Sequence, residues 1–304
     1  MGTATLITGC STGFGRDAAE RLARRGHTVV ATMRDVDGHN RPHREALEAL
    51  AARERLALTV AELDVTDDAS VQRAVADAVD RVGGLDAVIN NAGIGGIGVT
   101  EAYTPEQFHR FFDTNVYGAV RVNRAVLPHL RRRKRGLLVH VSSGAGRVTV
   151  PAMAAYCASK YALEAVADAY RYELRPFGIE SVLVEPGIYR TPIFDRLIGP
   201  ADAGCVAAYG EQGDYAQRVH GTFLAAIGAP DAPGSEEVAE AFVRLVEMPP
   251  GTRPFRTVVS PPIQQLLEPY NAAAEGLRPV VAQIFNVPEL VAGQPAPEAV
   301  AASG

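Results

Sequence analysis

Along the chain, short apolar runs alternate with segments whose apolar residues recur every three to four positions. Residues 5–8, 27–32, 56–63, 85–90, 137–142, 179–185 and 255–259 read as strands, four to eight residues long and apolar throughout. Between them, 18–25, 45–54 and 154–175 read as helices. Further helices open at Thr66-Asp67-Asp68, at Thr104-Pro105-Glu106 and at Ser235-Glu236-Glu237, each with a cap residue or early negative charge. Such alternation predicts an α/β chain with a doubly wound parallel sheet and helices on both faces. Uniformly apolar strands fit a sheet covered on both sides. In such a sheet a ligand sits beyond the carboxyl ends of the strands.

Two stretches lack this regularity. Residues 188–234, rich in Gly, Ala and Pro, read as a long loop and hence a candidate substrate lid. Residues 286–304 read as a disordered Ala/Pro-rich tail, leaving 1–285 as one domain.

The 304 residues are 47% hydrophobic and 21% charged, enough to bury a core without disulfides. Cys10, Cys157 and Cys205 show no metal-ligand spacing and read as reduced thiols in a cytoplasmic protein; no metal is expected. The net charge of −5 argues against nucleic acid as a partner. The one basic run, Arg131 to Arg135, reads as the solvated end of a helix. No apolar run reaches membrane-spanning length.

The first strand runs into Thr8-Gly9-Cys10-Ser11-Thr12-Gly13-Phe14-Gly15 and then a helix. Glycines let backbone approach a pyrophosphate, and the helix start presents free N–H groups. Tyr156 and Lys160 stand four apart on one helical face. The chain contains two lysines against many arginines, and a lysine here suggests a compact point charge. A phenol titrates near pH 10, and moving it by about three units takes about 4 kcal/mol. One cation at about 4 Å in a partly desolvated site supplies that order of energy. Lys160 is therefore expected to lower the Tyr156 pKa.

The spacing T-G-x-x-x-G-x-G resembles the short-chain dehydrogenase/reductase family. The likeness continues through Leu63-Asp64-Val65, Asn90-Asn91-Ala92-Gly93, Asn115, Ser143, Tyr156, Lys160 and Pro186-Gly187. It covers residues 4 to about 191 in order. Ala31 to Asp35 and Tyr156-Cys157-Ala158-Ser159-Lys160 look most like the oestradiol-type hydroxysteroid dehydrogenase and retinol dehydrogenase branch.

The resemblance implies a single-domain Rossmann fold and an enzyme moving a hydride between nicotinamide and a carbonyl or secondary alcohol. It implies a catalytic set of Asn115, Ser143, Tyr156 and Lys160, with Ser142 as the neighbouring candidate to Ser143. Cofactor contacts are implied at Gly9, Ser11, Thr12, Gly13, Phe14, Gly15, Asp64, Val65, Asn91, Ala92, Gly93, Pro186, Gly187 and Thr191, besides Tyr156 and Lys160. The substrate is a small molecule, and the apolar side chains of 188–234 favour a lipophilic one. Related proteins dimerise through two helices matching 105–130 and 154–175, so a homodimer or homotetramer is expected.

NADP(H) is expected over NAD(H). The position that would hold a ribose-binding carboxylate is Met33, and Arg34 beside it can clamp a 2′-phosphate. A rival register puts Asp35 on the ribose and favours NAD. His220, inside 188–234, is either a substrate contact or a surface histidine. A non-catalytic dinucleotide-binding regulatory or scaffold protein on the same fold is the competing reading.

Overall fold

The computed structural model describes residues 2–291. Seven parallel strands form one sheet in the order β3-β2-β1-β4-β5-β6-β7. They are β1 (Ala4–Ile7), β2 (Thr28–Met33), β3 (Leu58–Glu62), β4 (Ala87–Asn90), β5 (Gly136–Val141), β6 (Ile179–Pro186) and β7 (Arg256–Val259). Each differs from its sequence expectation by only one or two residues at either end.

Successive side chains of each strand feed opposite layers. Ile7, Val29, Ala31, Ile89 and Val139 join a core with α1 (Gly13–Arg24), α2 (Arg41–Glu54) and α9 (Glu236–Glu247). Leu6, Val30, Val88 and Leu138 join the other, with α3 (Asp68–Val82), α5 (Gly118–Arg133) and α6 (Ala154–Leu174). This period of two across a sheet covered on both faces is why the strands read as unbroken apolar runs. The chain is thus a single-domain α/β Rossmann fold.

Local chemistry sets several helix starts. Asp67 caps α3 by accepting from the N–H groups of Ala69 and Ser70. Thr104 and Gln107 form a reciprocal capping box at α4 (Pro105–Phe112). Ser235, the expected cap of α9, bonds Asp17 of α1 instead and ties those helices together. In the basic run, Arg133 and Arg135 pair with Asp86, and Arg131 lies over the Phe177 ring.

Three regions depart from expectation. The helix opening at Thr104 is interrupted by a π turn at Asp113–Tyr117 between α4 and α5. Within the expected irregular loop 188–234 lie α7 (Ala203–Ala208) and α8 (Asp214–Gly228). After β7 comes α10 (Pro261–Ile284), a 24-residue helix that the apolar pattern did not announce. Of the tail, Pro288–Leu290 forms a short 3-10 turn, and 292–304 lie outside the described residues.

Candidate active site

The strand order reverses between β1 and β4, and the crevice at this switch point opens beyond their carboxyl ends. The Thr8 hydroxyl accepts from the N–H groups of Asn91 and Ala92, both at 3.0 Å. The Asn91 amide donates back to the carbonyls of Thr8 and Gly9. The loops after β1 and β4 are thereby fixed against each other. Gly9 has φ +72°, and a Cβ there would meet the Ala92 Cα at 2.9 Å. A Cβ at Gly15 would meet the Gly9 carbonyl oxygen at 2.6 Å.

The cleft holds about 360 Å³ and runs from these loops to Tyr156. Gly9, Ser11, Thr12, Gly13, Phe14, Arg34, Asp64, Val65, Asn91, Ala92, Gly93, Tyr156, Lys160 and Thr191 all line it, as the sequence expected. Gly15, Asn115, Ser143, Pro186 and Gly187 are not among its walls, whereas Ser142 is; a Cβ at Gly187 would meet Ser260 and Ile263. Arg110, His39, Asn40 and Arg196 line it without having been singled out in the sequence. They sit on a helix face, a turn and the segment after β6, where no local spacing marks them.

The residues fit a dinucleotide. At the start of α1, Thr12 makes no side-chain capping bond and the first turn carries no acid. Its N–H groups and dipole therefore face the glycine loop without a competing carboxylate, as a pyrophosphate requires. At the end of β2, Arg34 is exposed on the cleft, and the Asn40 amide fixes its carbonyl at 2.7 Å. Asp35 adopts φ +49°, and its carboxylate accepts from the N–H of His39 at 2.7 Å; Asp35 itself does not line the cleft. Asp64 Oδ1 accepts from the Thr66 N–H and hydroxyl.

At the other end, α6 presents Tyr156 and Lys160. The Ser143 hydroxyl bonds the Tyr156 phenol, and burial pushes that phenol up to about 12. Burial also brings Lys160 down to about 8, with Glu164 partly opposing. Lys160 Nζ donates to the Val141 carbonyl at 2.8 Å and lies 5.8 Å from the Tyr156 ring centroid. The expected net lowering of the Tyr156 pKa is therefore corrected: desolvation of the phenol outweighs what lowers it.

Asn115 lies in the π turn and is buried. Its amide donates to the Ile94 carbonyl at 3.0 Å and to Ser159 Oγ at 2.9 Å, and its Oδ1 accepts from the Ile94 N–H at 2.8 Å. A Cβ at Gly93 would sit 3.2 Å from that Oδ1 and 3.6 Å from Lys160 Nζ. Asn115 thus ties the loop after β4 to the helix carrying Tyr156 and Lys160.

The segment after β6 forms the outer wall. Ile198 bridges Gly96 and accepts from the Tyr103 hydroxyl. Arg190 bonds the carbonyls of Ile227 and Ala229, clasping the two ends of the segment. Phe194 stacks on Phe223 with centroids 5.5 Å apart, and Phe223 packs with Met153, Cys157 and Tyr156. Tyr189, inside the segment read as a lid, is buried against Phe14 and bonds Glu237.

The family model described as short chain dehydrogenase matches residues 3–199. The chain belongs to the short-chain dehydrogenase family. It is 35% identical to human 17-beta-hydroxysteroid dehydrogenase type 1 over 265 residues, covering 84% of this chain and 77% of that protein. It is 41% identical to human retinol dehydrogenase 8 over 198 residues, spanning 64% of this chain and about three fifths, 61%, of that relative's length. These relatives support the hydroxysteroid and retinol dehydrogenase branch. A short-chain dehydrogenase from Streptomyces avermitilis superposes with a TM-score of 0.74 at 27% identity, covering 94% of this chain and 98% of that one. The protein is therefore an oxidoreductase using a nicotinamide dinucleotide.

Proposed function

We propose that this protein is an NADP(H)-dependent enzyme that interconverts a lipophilic ketone or aldehyde and its alcohol, with Tyr156 as the proton donor and acceptor. The observation that carries this is the half-buried Tyr156 phenol, bonded by Ser143 and lining the cleft beside Lys160. NADP(H), when bound, supplies or takes up the hydride.

The protein's own groups do the rest. With its pKa pushed up to about 12, Tyr156 holds its proton at neutral pH and can donate it to a carbonyl oxygen. Ser143 Oγ, bonded to the phenol, can donate to the same oxygen and polarise it. Lys160 supplies a buried positive charge that stabilises the phenolate left after donation. Asn115 holds the Ile94 backbone and Ser159 in register with that pair. The residues lining the glycine loop, together with Asp64, Val65, Asn91, Gly93 and Thr191, would hold the dinucleotide. Pro186 and Gly187 would support it from the end of β6.

The preference for a 2′-phosphate rests on Arg34, the uncharged Met33 and the Asp35 carboxylate engaged by His39. Arg196 and His39 line the same cleft. The lipophilic substrate rests on Ile193 and Ile198, which line the cleft, with Phe194 and Phe223 paired in the same segment. A cytoplasmic location is inferred from the three free thiols.

The test is consumption of NADPH and of NADH by purified protein over a panel of aliphatic, aromatic and steroidal ketones and aldehydes. Turnover greatest with NADPH and apolar carbonyls supports the reading. Tight binding of either cofactor with no turnover on any carbonyl would favour the non-catalytic alternative.

A further inference from the structure

We propose that Asn271 of α10 is a positioning residue for Ser143, holding from outside the cleft the turn that fixes the Ser143 hydroxyl. This rests on the proposed reaction, in which Ser143 polarises the carbonyl oxygen. Ser143 caps the single 3-10 turn Gly144–Gly146. Its Oγ accepts from the Ala145 N–H at 3.1 Å, and its carbonyl accepts from the Gly146 N–H at 2.8 Å. Backbone thus occupies one lone pair of the hydroxyl, which leaves its proton for Tyr156 or for a substrate oxygen. A single 3-10 turn has poor hydrogen-bond geometry and little stability of its own. Its direction is set where it ends, at Arg147.

Arg147 is clasped from two helices. The hydroxyl of Tyr161, the residue after Lys160 on α6, donates to the Arg147 carbonyl. From α10, Asn271 Oδ1 accepts from Arg147 Nε at 2.8 Å, and the Tyr270 ring lies 4.4 Å from the guanidinium. Asn271 Nδ2 donates to Glu185 Oε2 at 2.8 Å. One amide therefore joins the end of the Ser143 turn to a fully buried carboxylate on β6, the strand beside β5. An amide suits the place, because its oxygen accepts from a guanidinium while its nitrogen donates to a carboxylate. The same helix backs the turn directly: a Cβ at Gly144 would lie 3.1 Å from Ile263 Cγ2 and 3.6 Å from Leu267 Cδ1.

Charge separates this role from packing. Asn271→Asp keeps the acceptor for Arg147 and replaces the donor with a second carboxyl oxygen facing Glu185. The charged groups around that oxygen are Glu185 on β6, Glu164 on α6, Arg256 on β7 and Arg147 at the turn. Facing carboxylates repel, and one of them is relieved by taking up a proton. Burial and Glu164 already bring Glu185 up to about 7. In the variant a shared proton restores the link on the acid side and is lost on the alkaline side.

The test compares wild type, N271L and N271D for NADPH affinity, for kcat on a carbonyl substrate, and for amide exchange across 143–147. Removing a donor to the reacting oxygen costs about 10² to 10³ in kcat, and loosening it costs about tenfold or more. N271L is expected to show that loss with NADPH affinity within about twofold of wild type, and faster exchange across 143–147. N271D is expected to match the wild-type kcat at about pH 6 and to fall to the N271L level at about pH 9. Helix α10 stays anchored in both by Glu275 to Arg171 and Arg278 to Asp168. Should N271L lose its fold, the pH profile of N271D decides. Undiminished kcat in N271L, unchanged exchange across 143–147, or an N271D to wild-type ratio that does not vary with pH overturns the proposal. A wild type that turns over no carbonyl sinks the proposed reaction instead, and exchange in N271L then decides whether Asn271 holds the turn.

Discussion

Glu164 follows Lys160 by one helical turn on α6, and its charge offsets part of the burial penalty on the Lys160 ammonium. The same carboxylate meets Arg256 at 3.0 Å, and Arg256 meets Glu185 at 3.2 Å. Two buried carboxylates therefore share one guanidinium directly behind the cleft. Arg147 contributes a more distant positive charge.

Glu164→Gln is expected to lower the Lys160 pKa further below about 8. The neutral amine does not stabilise a phenolate, so the alkaline limb of kcat/KM for carbonyl reduction should move to lower pH. A profile superimposable on the wild type would show that Glu164 only packs.

Glu185 makes an opposite demand. Burial, then the neighbouring Glu164, push its pKa up to about 7, above the ordinary 4.5. The folded protein thus binds the extra proton between these values, and stability falls as pH rises from about 4.5 to 7. Glu185→Gln keeps an acceptor for the Asn271 amide, which bonds Glu185 at 2.8 Å. Its melting temperature at pH 8 should exceed the wild type's by a few degrees, with the gain vanishing below pH 4.5. A gain equal at both pH values would place the effect in packing.

Tyr156→Phe removes the phenolic oxygen and nothing else from the wall of the cleft. Turnover should fall by about 10² to 10⁴, the range of a lost general acid. Cofactor affinity, read by fluorescence titration, should stay within a few-fold. Retention of substantial turnover would remove Tyr156 from its assigned role.

Arg34→Ala should cut kcat/KM for NADPH by at least tenfold while sparing NADH, because one charge-assisted bidentate contact is worth more than about 1.4 kcal/mol. An equal loss with both cofactors would mean that Arg34 does not read the 2′-phosphate.

Limited proteolysis addresses the segment between β6 and α9. Its ends are held by Arg190, and its aromatic pair Phe194 and Phe223 packs toward Met153 and Cys157 beside Tyr156. Cleavage within 188–234 should slow when NADPH and a carbonyl substrate are both bound. Equal rates in both states would show a fixed wall rather than a lid.

The strands and the glycine loop were legible because each is encoded by neighbours in sequence: unbroken apolar runs, a cap, a turn. Tyr156, Lys160 and Ser143 were legible through spacing. Asn115 was harder, since a polar residue within a helical stretch reads as solvated. The π turn that turns it inward depends on its bonds to Ile94 and Ser159, far off in sequence. The direction of the Tyr156 shift was misjudged because spacing gives proximity but not desolvation. Helix α10 escaped notice because Pro261, Pro262, Pro269, Gly276 and Pro279 argue against a helix, yet the chain runs through all of them as one. Its ion pairs to α6 supply what propensity withholds.

The start of α1 has a consequence beyond cofactor recognition. A helix whose first turn is neither capped nor acidic leaves its opening N–H groups to be completed by an anion. The dinucleotide is then a structural component of the first βαβ unit as well as a reagent. Its free concentration enters the folding equilibrium, because whatever binds only the native state holds the chain there. Supply of the nicotinamide cofactor would govern how long each molecule lasts as well as how fast it turns over.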